Sequence, residues 1–107
     1  YVGLKTQKSE IENEDISLIV LNATGIGGLA DRISIRMRYR GFKAGEYGNF
    51  SKNNLSESAV IIRNGQIEKG FMVGRECRIN RIYAKTDRRL LNNAVLILGN
   101  DYYEITR

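Results

Sequence analysis

Ile16-Ser17-Leu18-Ile19-Val20-Leu21 is a short, almost continuous apolar run that stops at Asn22-Ala23-Thr24-Gly25. A run of this length and density fits a strand covered on both faces or placed at the centre of a sheet. The period then changes. From about Gly27 to Arg40, Leu29, Ala30, Ile33 and Met37 recur at helical spacing and fall on one face. Gly41 can end that helix in the left-handed conformation. A strand, a glycine turn and a helix with one apolar face demand a sheet on which the helix can lie.

The rest of the chain supplies the sheet. Phe42 to Tyr47 predicts a second strand and Gly48 to Glu57 a polar connection carrying one aromatic, Phe50. Ser58 to Arg63 predicts a third strand closed by the turn signal Asn64-Gly65. Gln66 to Asn80 lacks alternation and gathers Gly70, Val73, Gly74 and Cys77 on one helical face. Each of those glycines costs a helix about 1 kcal/mol against alanine, so their benefit should be close approach of the helix backbone to the sheet. Ile82 to Ala84 suits a short extra edge strand, and Asn93 to Leu98 a final strand stopped by Gly99-Asn100-Asp101. The expected fold is α/β (α+β), a β-α-β-β-α-β two-layer sandwich of the split-βαβ kind, with a mixed sheet and two helices on one face.

Residues 1–15 are polar, mixed in charge and without a sustained period, and read as a linker or juxtamembrane stalk. Residues 16–107 form the domain. A chain of 107 residues, 42% hydrophobic, has apolar material for one core. Its longest apolar stretches fall well short of the roughly 20 residues that cross a bilayer, so no membrane insertion is expected within this segment. The single Cys77 reads as a small buried hydrophobe.

The residue inventory narrows the chemistry. There is no histidine, which removes Ser-His and Cys-His nucleophiles, and Asp31, Glu46, Asp101 and Glu104 have no metal-ligand spacing. No catalytic residue, metal ligand or cofactor site is expected. Gly25-Ile26-Gly27-Gly28-Leu29-Ala30 does satisfy the dinucleotide pattern G-x-G-x-x-A between strand and helix, with Glu46 about twenty residues on. A tight structural turn is the favoured reading. An anion or glycan group resting on Thr24, Gly25, Gly27 and Gly28 at the helix start, or a nucleotide, is the alternative.

Charge is uneven along the chain. Removing Lys5 and Lys8 from 17 basic residues, and Glu10, Glu12, Glu14 and Asp15 from 12 acidic ones, leaves 15 basic and 8 acidic from Ile16 onward. On the helix flank outside the core face, Arg32, Ile35, Arg36 and Tyr39 fall together, with Arg40 next to them. Arginine beside exposed aliphatic and aromatic groups suits a contact surface, and packing at the domain edge is the bland alternative. A nucleic-acid-binding module is the competing class, but the third strand, Ala59-Val60-Ile61-Ile62, offers no ring for base stacking.

Ile19 to Ala30 followed by Arg40-Gly41-Phe42, the Ser58 to Ile62 strand, Gly70-Phe71-Met72-Val73-Gly74, and Val95 to Tyr102 with its Leu-Gly-x-Asp ending together resemble the LytR C-terminal domain. The resemblance covers roughly residues 16–104 and departs at Gly70 and Gly74, where alanines are typical. It implies a bacterial, extracytoplasmic cell-envelope domain, without a catalytic role, of a membrane-anchored parent protein. The implied partners are peptidoglycan, an anionic wall polymer or another envelope protein, and the residues themselves place the expected contact on the Arg32, Ile35, Arg36, Tyr39 and Arg40 flank.

Overall fold

The computed structural model describes residues 12–63, 67–85 and 93–105. Most of the N-terminal linker, the Asn64-Gly65 turn and Gln66 lie outside the described residues. After a short 3-10 turn at Asn13–Asp15, the elements are β1 (Ser17–Asn22), α1 (Leu29–Tyr39), β2 (Lys43–Asn49), β3 (Ala59–Arg63), α2 (Ile67–Cys77), β4 (Ile82–Lys85), β5 (Ala94–Leu98) and a 3-10 turn at Tyr102–Glu104. The predicted elements are all present. The stretch at Ile82 is a full member of the sheet, so the order is β-α-β-β-α-β-β.

The five strands run in the order β2-β1-β5-β3-β4. β1 is parallel to both β2 and β5, β3 is parallel to β4, and β3 meets β5 antiparallel, which makes the sheet mixed as expected. In one respect the arrangement departs from the split-βαβ expectation. The strands joined by each helix are immediate neighbours, so β1-α1-β2 and β3-α2-β4 are two complete units, and β5 fills the seam between them.

Both helices lie on the same face. Leu29, Ile33 and Met37 of α1 and Val73 and Cys77 of α2 share one core with Leu18, Val20, Val60, Ala94, Leu96 and Leu98 of the sheet. β5 is buried along its whole length, as its unbroken Ala94-Val95-Leu96-Ile97-Leu98 run requires of a central strand. On the opposite face Val95 and Ile97 are covered by Ile19, Leu21, Ile61 and the loop residues Phe50 and Leu55.

The two glycines of α2 do what their spacing predicts. A Cβ on Gly70 would collide with the Ile62 side chain, and one on Gly74 would lie 2.8 Å from Ile82 Cδ1 and 2.9 Å from the Ile79 carbonyl oxygen. Their absence of side chains lets the helix settle directly on β3 and β4. Cys77 is fully buried, with its sulfur 3.7 Å from Met37 Sδ, and burial pushes its thiol up to about 12.

Candidate functional site

Local bonding explains the glycine turn after β1. The Asn22 side chain donates to the Ile26 carbonyl at 2.6 Å and accepts from the Thr24 N–H at 2.9 Å and the Thr24 hydroxyl at 2.6 Å. Thr24 Oγ1 in turn accepts from the Ile26 N–H at 3.0 Å. Such side-chain bonds stand in for the ladder that ends at Asn22. Gly25 and Gly28 hold φ of 82° and 76°, a conformation that disfavours any side chain. Thr24 is buried and turned into the fold, whereas Gly25, Gly27 and Gly28 are exposed. Asp31 adds a carboxylate to the first turn of α1, which meets the positive end of the helix from within the protein.

A cleft of about 180 Å3 opens beside this turn, lined by Asn22, Gly28, Asp31, Tyr47 and Asn49 among others. Tyr47 reaches it because β2 carries an irregularity: Ser17 pairs with Lys43 but Ile19 with Glu46, so β2 has one extra residue there. The bulge turns Tyr47 to the helix side, opposite Val20. Sequence reasoning missed Tyr47 and Asn49. The available signal was Gly45, since an isolated glycine inside a strand pattern marks a bulge.

The outer flank of α1 is the second surface. Its inner face buries Leu29, Ala30, Ile33, Ser34 and Met37, which sends Arg32, Ile35, Arg36 and Tyr39 outward on one stripe. Ile35 is 40% exposed and Tyr39 88%, so neither packs beneath the Phe50 loop, which lies on the other face of the sheet. Arg40 does not join them. Its guanidinium donates to the Glu76 carbonyl at 2.9 Å and the Ile105 carbonyl at 3.4 Å and lies 3.9 Å from the Glu76 carboxylate. Its own carbonyl accepts from Asn13 Nδ2 at 2.7 Å. Arg40 therefore ties α1 to α2, to Asn13 ahead of β1 and to Ile105 after β5.

A third concave region surrounds the turn after α2. One cleft of about 470 Å3 is lined by Glu57, Ser58, Arg81, Tyr83 and Asp101 among others, and a second of about 500 Å3 runs between α2 and β4. Arg81 pairs with Glu57 across the first, and that bond raises the guanidinium pKa. Asp101 accepts from the Ser58 N–H at 2.8 Å and hydroxyl at 2.7 Å, and Ser58 Oγ accepts from the Gly99 N–H at 2.8 Å. A side chain at Gly99 would strike the Glu57 backbone. The Leu-Gly-x-Asp ending is thus a lock between the end of β5 and the start of β3.

Among the described residues no group of three or more acidic, cysteine or histidine side chains is arranged to hold a metal ion. No helix among them is long and apolar enough to cross a membrane. The family model of the LytR cell envelope-related transcriptional attenuator matches residues 15–102. The fold is similar to the crystal structure of the soluble domain of a conserved hypothetical secreted protein, an Rv2700 ortholog, from Mycobacterium marinum. That match has a TM-score of 0.73 at 16% identity and covers 94% of this chain and 70% of the other. A weaker likeness, TM-score 0.49 at 20% identity, joins it to the solution structure of the C-terminal domain of RV0431, over 87% of this chain and 77% of that one. No curated protein matches the chain.

Proposed function

The chain belongs to the LytR C-terminal domain family of cell-envelope proteins, and from that premise we propose that it is a non-catalytic, extracytoplasmic binding module. The proposed binding surface is the α1 flank, and the proposed ligand an anionic wall polymer or glycan, with an envelope protein as the alternative partner. Residues 1–15 serve in this reading as the stalk that joins the domain to a membrane-anchored parent.

The observation that carries the proposal is the exposure of Ile35 and Tyr39 beside Arg32 and Arg36 on a helix whose other face is fixed in the core. A rigid aromatic supplies contact area at low entropic cost, and guanidinium groups pair with carboxylate and phosphate. In this reading the glycine turn has a structural role, since the Thr24 N–H and hydroxyl bond Asn22, the Ile26 N–H bonds Thr24 Oγ1, and the Asp31 carboxylate stands at the helix start.

Co-sedimentation with purified peptidoglycan carrying its anionic polymers tests this directly. The domain should pellet at low salt, and about 0.5 M salt should release most of it, because exposed charge contacts are screened there. Arg32→Glu and Tyr39→Ala should each weaken pelleting several-fold without changing the melting temperature. No pelleting at low salt removes the wall-polymer reading.

A further inference from the structure

The two βαβ units are built alike but finish their outer edges differently. Backbone groups of a strand alternate between its two neighbours. Lys43 N–H donates to the Ile16 carbonyl, so the backbone N–H and C=O of Ala44 point outward on the β2 edge, and Arg38 Nη1 donates to the Ala44 carbonyl at 3.0 Å. At the opposite edge Val60 N–H donates to the Arg81 carbonyl, so Arg81, Tyr83 and Lys85 address β3. Ile82 and Ala84 then turn their N–H and C=O outward, and among the described residues no hydrogen bond engages them.

Beside this open edge runs the cleft of about 500 Å3, walled by Phe71, Gly74 and Arg75 of α2, closed by Arg78 and Ile79, and floored by Ile82. Phe71 and, one helical turn away, Ile67 are about half exposed along the same wall. An open strand edge next to a helix-walled groove of mixed apolar and cationic lining is an arrangement that captures extended peptides, with main-chain bonds giving affinity and alternate side chains entering the groove.

From this geometry we propose that β4 and α2 receive an extended, acidic peptide segment of a partner protein, which adds to the sheet as a sixth strand beside β4. Among the described residues Arg75 and Arg78 line the groove and no carboxylate does. Arg78 holds φ of 59°, just past the helix end, where the Ile79 N–H reaches back to the Gly74 carbonyl at 2.8 Å. Glycine is the usual residue at that position of a helix terminus, so a cation is kept there against a backbone preference. A second copy fits poorly, because edge-to-edge pairing would bring Arg75, Arg78 and Lys85 of both copies together. The proposal uses none of the α1 flank residues, so it stands or falls separately from wall binding.

The test is a titration of isotope-labelled domain with two hexapeptides, one alternating Asp and Val and the other Lys and Val, read by amide shifts and hydrogen exchange. The Asp/Val peptide should shift and protect the Ile82 and Ala84 amides and bind about tenfold tighter than its Lys/Val counterpart. Ala84→Pro, which removes one outward donor and leaves the ladder to β3, should weaken binding, as should Arg75→Glu. Arg78→Gly should weaken it while raising the melting temperature, a pairing of effects that a purely structural role for Arg78 does not produce. Equal affinity for the two peptides, no shifts at about 1 mM peptide, shifts confined to the α1 flank or the Phe50 face, or a peptide-free dimer paired through β4 would each overturn the assignment.

Discussion

Cys77 shows how one buried side chain links packing to solution conditions. Loss of water around the sulfur is the main cause of its raised pKa, with Glu76 adding to the rise and Arg40 opposing it. The folded thiol stays protonated to about pH 12 while the unfolded one ionises near its ordinary value of 9.0. Above that value the unfolded chain binds fewer protons than the native one, so stability falls as pH rises. The loss approaches about 1 kcal/mol per pH unit. Urea unfolding between pH 8 and about 10.5 should show this decline, and Cys77→Ala should show less of it. Reaction with a thiol reagent should likewise track unfolding, since the thiolate is the nucleophile. The burial of Cys77 was legible in the sequence from its place on the apolar face of a helix. The opposite holds for Arg40, whose position one step past a basic stripe gave no hint that it would turn back to the Glu76 and Ile105 carbonyls.

Among the elements, α2 is the one whose sequence states its packing most directly. Gly70 and Gly74 weaken the helix alone, and their cost is offset only if the backbone comes close to the sheet. Ile62 stands against Gly70, buried and stiff at its branched Cβ. Gly70→Ala should therefore destabilise the domain by about 1–2 kcal/mol even after the gain in helix propensity. Ile62→Ala, which removes the Cγ1 and Cδ1 atoms that the new methyl would strike, should cost less in the Gly70→Ala chain than alone, as a double-mutant cycle read by chemical denaturation would reveal. β2 was less legible. Its alternation fails at Gly45, where the bulge changes which face each later residue takes, so Tyr47 could not be assigned to the cleft from spacing alone. The Asn22 to Gly28 turn and the Gly99 to Asp101 ending were legible only as motifs of the family resemblance, and the structure brings them together. Leu55 joins them, its N–H donating to the Ala23 carbonyl at 3.1 Å and its carbonyl accepting from the Asn100 N–H at 2.7 Å.

For the whole molecule, periodicity told which face each helix buries but not which strands are neighbours. The insertion of β5 between β1 and β3 depends on contacts far apart in sequence, and only the unbroken apolar run at Ala94 to Leu98 hinted at a central place. That topology predicts an order of protection. Amides of β1, β5 and β3 should exchange slowest, at rates set by global unfolding, and those of β4 fastest among the strands. Slow exchange confined to one βαβ unit would mean that the two units open independently. The seam has one more consequence, in the order of synthesis. When a growing chain has emerged only as far as Lys85, β1 and β3 both still lack the partner that lies between them, so each unit carries an unpaired inner edge. The keystone strand is made last, and the domain has no finished half on which the other could be built.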